Sequence, residues 1–241
     1  MPTTVTSSIG TASRDYSTLQ AWEDACPSNL VSDDKIWRGE AYNDSEFTTG
    51  VVFAGVTSDA TRYVELTAAA GQSFMDAGDH ALDYDITKGV GIKKLSASFE
   101  NGITFSQNYV RLSRFQVWIE GSYSNAVIST ADYVWQFDCI YKSNNNVCSI
   151  TAYGLNRNLL IIKSGSNTSG NGLGHPGYST YTAIQNCTIV YAGTGGASTG
   201  YGITVGYGTP PQLDFYNCAV FGFSAFTDDA SQITKLDHCA S

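Results

Sequence analysis

The side chains able to do chemistry here are six cysteines, three histidines and 22 carboxylates. Glycoside hydrolysis needs two carboxylates projecting together, one as acid and one as base or nucleophile. Asp228-Asp229 is an adjacent pair, but neighbours along a strand face opposite ways, and in a loop such a pair is ordinarily just solvated. Elimination chemistry would instead want a basic residue beside a Ca²⁺-binding group of acids, and Asp79, Asp83 and Asp85 form the only dense acidic patch. Zinc has little to hold it: no Cys-x-x-Cys pair exists, and His80, His175 and His238 are scattered. The residues therefore predict no catalytic site, no metal site and no cofactor.

Four of the cysteines, Cys139, Cys187, Cys218 and Cys239, share one position of an internal repeat. Its clearest copies are Asn186-Cys187-Thr188-Ile189-Val190 and Asn217-Cys218-Ala219-Val220-Phe221, and its form is Φ-x-Φ-x-x-C-x-Φ, with Φ usually apolar. Six segments fit: Val110, Leu112, Phe115, Val117; Val134, Gln136, Cys139, Tyr141; Leu155, Arg157, Leu160, Ile162; Thr182, Ile184, Cys187, Ile189; Leu213, Phe215, Cys218, Val220; and Thr234, Leu236, Cys239, Ser241. The anchors 115, 139, 160, 187, 218 and 239 are separated by 24, 21, 27, 31 and 21 residues. Alternating apolar residues on either side of a two-residue offset read as two short strands meeting at a bend. Asp138, Asn186, Asn217 and His238, just before their anchors, belong to the types that best tolerate the left-handed backbone after glycine; Arg114 and Leu159 are the misfits. The cysteines are expected as buried, reduced thiols, with bridging between neighbours as the alternative.

A third strand precedes each unit, at Ile103 and Phe105, Ala126 and Ile128, Cys148 and Ile150, Ile203 and Val205, and Ala225 and Phe226. Three strands per repeat, each unit burying its inward face only against its neighbours, predict an all-β chain: a single-stranded parallel β-helix. Residues 35–38, 51–56 and 63–67 read as strands of earlier coils. Before them, Leu19, Trp22 and Ala25 have helical spacing, with Asp15 or Ser17 as the cap and Pro27 as the stop, giving an N-terminal helix that covers the open first coil. The expected division is an arm and capping helix over 1–34 and the β-helix over 35–241, one domain overall.

Composition narrows the function. Charged residues make up 15% of the chain, the net charge is −9, and no lysine–arginine cluster could track a phosphate backbone, which argues against nucleic acid. No apolar run is long enough to span a bilayer. No secretory signal is recognisable after Met1, so synthesis in a cytoplasm is expected.

The Asn-Cys-x-Val/Ile coils resemble right-handed parallel β-helix proteins of the pectate-lyase-like type over most of the chain. More narrowly, residues 10–23 (GTASRDYSTLQAWE) and 38–47 (RGEAYNDSEF) are similar to the opening segment of β-helix proteins encoded by tailed bacteriophages and prophages. That resemblance implies a non-enzymatic virion component: a capsid decoration or head-fibre protein, bound to phage capsid or tail proteins and to host surface glycans. It also implies a homo-oligomer, with a trimer the expected form. Gly174-His175-Pro176-Gly177 is similar to the Gly-His-Gly of polygalacturonase-like enzymes, but the rest of that pattern is missing. The alternatives are a tail-spike-like polysaccharide-degrading enzyme, lyase or glycosidase, and a glycan-binding module.

Two insertions, 164–179 and 192–200, leave at the same corner of successive coils and should lie side by side. The expected binding patch is His175, Tyr178, Tyr181, Tyr201 and Tyr207, an uncharged, tyrosine-dotted surface for a protein subunit or a sugar.

Overall fold

The computed structural model describes residues 1–78, 82–98, 100–122, 124–144, 148–149, 154–165, 171–175, 181–194, 199–205, 212–227 and 233–240. The chain winds as a right-handed parallel β-helix. Among the described residues its strands form three parallel sheets of nine, six and seven strands. A representative coil passes from Val134–Phe137 in the nine-stranded sheet to Ile140–Ser143 in the six-stranded sheet and Cys148–Ser149 in the seven-stranded sheet, then returns at Gly154–Arg157. Each strand inside a sheet pairs in parallel with its equivalents one coil before and one coil after, as Gln136 does with Leu112 and Asn156.

The corner between the first two sheets explains why these residues repeat. Arg114, Asp138, Asn158, Asn186, Asn217 and His238 all adopt the left-handed conformation, with φ between 52° and 61°. The amides of the first five donate to the coil above, as Asp138 N does to Arg157 O at 3.1 Å and Asn186 N to Tyr216 O at 2.8 Å. The side chains form a ladder: Asn158 Nδ2 donates to Asp138 Oδ1 (2.7 Å), Asn186 Nδ2 to Asn158 Oδ1 (3.2 Å) and Asn217 Nδ2 to Asn186 Oδ1 (3.2 Å). Arg114 takes the same conformation although its type is poorly suited to it, and its guanidinium pairs with Asp76.

The inward file beside this corner is Phe115, Cys139, Leu159, Cys187 and Cys218, all buried, with Cys239 partly buried at the end. Cys26, Cys139, Cys187, Cys218 and Cys239 are free thiols. Burial pushes the Cys139 thiol up to about 12, so it behaves as a small apolar side chain. The third coil corrects the sequence register by one residue. Asn156, Leu159 and Ile161 face inward, Leu155 and Leu160 are half-buried and Arg157 is exposed. Asn158, not Leu159, supplies the left-handed bend. In the strand Val127–Ser129, Val127 and Ser129 are buried in place of the expected Ile128.

A polar thread runs through the column. Tyr141 Oη donates to Gln136 Oε1 (2.6 Å), and Gln136 Nε2 donates to Asn156 Oδ1 (3.0 Å), all three residues being buried. Most of the remaining core is Val, Ile, Leu and Phe, including Phe53 stacked on Phe105 at 5.3 Å between ring centres.

The N-terminal end is closed as the sequence predicts. Helix α1, Leu19–Asp24, buries Leu19 and Trp22. Trp22 meets Phe53 edge-on at 6.2 Å, and a Cβ on Gly39 would stand 2.6 Å from its ring, so glycine leaves the room for it. The cap is Thr18, whose hydroxyl accepts from Ala21 N at 3.1 Å. Asp15 is otherwise engaged, accepting from Ser8 N and Ser8 Oγ, both at 2.8 Å. A second short helix, α2, Leu30–Asp33, follows, and the strand Thr3–Ile9 precedes both and pairs with Lys35–Ala41 at the edge of the nine-stranded sheet.

Candidate functional site

Three successive coils place the dipeptide Tyr-Val where the chain enters the nine-stranded sheet: Tyr63-Val64, Tyr109-Val110 and Tyr133-Val134. The valines face inward and are buried; one residue earlier, the tyrosines fall on the rim. One residue after each valine stand Glu65, Arg111 and Trp135, facing outward. Register brings these together, pairing Arg111 with Glu65 on one side and with Trp135 on the other.

The result is a cleft lined by Asp59, Ala60, Tyr63, Tyr109, Arg111, Tyr133 and Trp135, enclosing about 130 Å³. The Arg111 guanidinium lies 3.5 Å over the Tyr63 ring and 4.4 Å over the Trp135 ring. Tyr109 and Tyr133 stack in parallel with ring centres 4.6 Å apart. Both hold φ near +57°, at 56° and 58°, a rare backbone state for a bulky side chain that costs about 1 kcal/mol or more per residue. Stacking returns part of that strain, and Tyr133 remains 39% exposed. The aromatic surface continues outward: Trp135 meets Phe137 edge-on at 6.4 Å, and the Arg157 guanidinium lies 5.1 Å over Phe137.

Asp59 is the carboxylate of the cleft. It accepts from Thr61 N and Oγ1 (2.8 Å each), Arg62 N (2.7 Å) and Arg62 Nη1 (3.0 Å). The Thr61 amide and hydroxyl, and then Arg62, hold its pKa down at about 2. It is a fixed anion in a turn, unsuited to carry a proton near neutrality. Beside the cleft, residues 55–58 and 106–108 form an open polar trough, in which Gln107 Oε1 accepts from Val56 N (3.0 Å) and Ser58 Oγ donates to Asn108 O (2.8 Å).

Of the expected patch, His175, Tyr181 and Tyr201 lie on strands of neighbouring coils. Tyr201, 37% exposed, opens the strand Tyr201–Val205, whereas His175 closes Leu173–His175 and pairs with Val205, a strand length or about 13 Å away. Tyr181 begins Tyr181–Gln185 in the nine-stranded sheet. Tyr178 and Tyr207 lie outside the described residues. The two insertions do start side by side: Ala192 N donates to Lys163 O (2.7 Å) and Thr194 N to Gly165 O (3.0 Å). Of the acidic patch, Asp83 pairs with Lys142 (2.7 Å) and Asp85 accepts from Thr87 N and Oγ1 (2.9 and 2.6 Å), while Asp79 and the Asp228-Asp229 pair lie outside the described residues. The cleft itself went unnoticed from sequence, although the thrice-repeated Tyr-Val dipeptide was there to mark it.

A second aromatic group on the six-stranded sheet is already closed. Trp118 is flanked by Lys93 and Lys142, 4.3 and 4.6 Å from its ring centre, and by Tyr84. Burial, and then Glu46, which accepts from its hydroxyl at 2.9 Å, push the Tyr84 phenol well above its ordinary range.

No family model matches the sequence, and no curated protein matches it. Among solved structures, the crystal structure of the pectin methylesterase from Aspergillus niger in deglycosylated form is similar, with a TM-score of 0.56 and 13% identity over 97% of this chain and 89% of that one. At that identity the likeness establishes the shared parallel β-helix, and it lends nothing to a bacteriophage origin.

Proposed function

We propose that this protein binds polysaccharide, through the tyrosine–arginine–tryptophan cleft on the outer face of its nine-stranded sheet. The observation that carries this reading is the packing of Tyr63, Arg111 and Trp135 beside the stacked pair Tyr109–Tyr133. Aromatic faces offer flat apolar area to the C–H faces of sugar rings, and the polar rim offers hydrogen bonds to hydroxyls. Two side chains held in left-handed backbone on a solvent-facing rim fit a preformed binding surface better than a packing accident. The similar fold belongs, by its name, to an enzyme of pectin, itself a polysaccharide, which agrees with this reading.

The test is affinity electrophoresis and calorimetry against a polysaccharide panel. Trp135→Ala and Tyr133→Ala should each weaken the best binding at least tenfold while circular dichroism stays unchanged. Absence of binding across the panel would sink the proposal. The same incubations, assayed for new reducing ends or unsaturated sugars, decide whether binding is followed by cleavage.

The virion role implied by the resemblance of residues 10–23 and 38–47 is a second reading, and those stretches form one structural unit: Arg14 Nε and Nη2 donate to Asp44 Oδ2 and Oδ1, each at 2.8 Å, and Thr11 Oγ1 lies 3.0 Å from Ser45 Oγ. On this reading the chain attaches to a capsid or tail as a homo-oligomer and presents the cleft to host glycans. Co-sedimentation with phage particles would support it, and a monomer indifferent to particles would remove it.

A further inference from the structure

We propose that the polysaccharide taken by this cleft is acidic, and that Arg111 reads its carboxylate. This rests on the polysaccharide reading above and adds the class of sugar. Four of the described arginines have carboxylate partners: Arg14 with Asp44, Arg38 with Glu65, Arg62 with Asp34 and Asp59, and Arg114 with Asp76. Arg111 has none within 4.0 Å among the described residues, although Glu65 is its neighbour in register and Asp59 lines the same cleft. Glu65 is taken by Arg38 at 2.8 Å, and the oxygens of Asp59 are occupied by Thr61 and Arg62.

The stacking decides what Arg111 can still bind. Rings shield the planar cation from both sides, leaving its in-plane N–H donors as the available edge. Among the described residues that edge makes one long hydrogen bond, from Nη2 to Ala60 O at 3.5 Å. A guanidinium whose faces are covered and whose rim is open is preorganised for a planar, two-oxygen acceptor, which a sugar carboxylate supplies and a lone hydroxyl does not. Exclusion of water by the flanking rings strengthens such a bond over its value in the open.

A second guanidinium repeats the arrangement. Arg157 stacks on Phe137 and has no carboxylate partner among the described residues. Arg111 pairs across to Trp135, and Phe137 to Arg157, so the two cations stand two coils and two residues apart on one face, about 12 Å between backbones. Two cations along one aromatic stripe suit a polymer that carries charge repeatedly. The overall charge of −9 opposes an anion at long range, but screening limits that to about 8 Å at physiological salt.

The experiment compares oligomers of alginate, hyaluronan, heparosan and polygalacturonate with the same oligomers after reduction of their carboxyls to alcohols, and with poly-glutamate. The native protein should bind its best acidic oligomer at least tenfold tighter than the reduced counterpart. Arg111→Gln should erase that preference, Arg111→Lys should restore part of it, and Arg157→Gln should reduce it by a smaller factor, each with an unchanged thermal melt. Equal affinity for acidic and reduced forms would overturn the inference and leave the polysaccharide reading standing. No binding of either form would overturn both. Poly-glutamate binding as tightly as the best uronate would make the occupant an acidic protein segment and overturn the inference as well.

Discussion

At the residue scale, the asparagines of the first corner do two things at once. Each holds the left-handed backbone, and each donates a side-chain hydrogen bond to the preceding coil. The two contributions separate by mutation. Asn186→Ala loses the ladder bonds and meets the left-handed penalty, so it should destabilise by about 2–3 kcal/mol. Asn186→Gly loses only the bonds and should cost about 1 kcal/mol, because glycine adopts that backbone freely. Urea unfolding midpoints for the two variants measure the difference, and equal losses would show that backbone strain contributes nothing there. Asp138, Asn186, Asn217 and His238 were legible as bend residues from type alone, whereas Asn158 was not, because the apolar pattern around it set Leu159 at the bend. Arg114 was not, because its conformation is imposed by the hydrogen bonding of its neighbours and not by its own preference. Tyr109 and Tyr133 escaped for the same reason: nothing in an aromatic side chain announces a left-handed backbone.

The elements show the same division. Leu19, Trp22 and Ala25 announced helix α1 through their spacing, and the helix lies where that spacing requires, with Trp22 over Gly39 and Phe53. The cap moved from Asp15 or Ser17 to Thr18 because Asp15 is held by Ser8 across the preceding loop, a contact that local propensity does not contain. On the same helix Glu23 is 5% exposed; burial, and only then its neighbours, raises its pKa, even though Ala54 N donates to it at 3.0 Å. A carboxyl whose folded pKa lies above its unfolded value binds more protons folded than unfolded. Its contribution to stability is therefore greatest below the unfolded value and is lost as pH rises through the raised one. Glu23→Gln removes that dependence. The difference in unfolding midpoint between Glu23→Gln and the native chain should grow in favour of the variant from pH 4 to pH 7, and a difference that is flat or shrinking would contradict the assignment.

For the whole molecule, the three sheets unite the chain into a column, and stability should vary along it. Central strands such as Val134–Phe137 pair on both sides, whereas Ile233–Asp237 pairs in this chain with Gln212–Tyr216 alone, through a register shift between Leu213 and Asp214, and Leu236 is 55% exposed. Hydrogen exchange should accordingly be fastest in Ile233–Asp237 and slowest in the middle coils, over a range of several decades. Uniform protection would mean that the column opens only as one unit. The overall architecture was legible from the repeat because most coils meet the same demand, an inward apolar residue on each side of a left-handed corner. The cleft was less legible because it is assembled from single outward residues of three coils, each unremarkable alone.

The buried thread of Tyr141, Gln136 and Asn156 bears on how the column is assembled in time. Around Gly154–Arg157 the apolar pattern offers two windings: Leu155 and Leu160 could point inward nearly as readily as Leu159 and Ile161. Hydrophobicity alone leaves these alternatives close in energy, and a chain that zipped in the wrong one would become a kinetic trap. The shifted winding strands Gln136 without its amide partner and puts leucine in the left-handed bend, so it is penalised at the moment that coil docks. The buried polar thread thus distinguishes two registers that apolar burial alone leaves nearly equivalent.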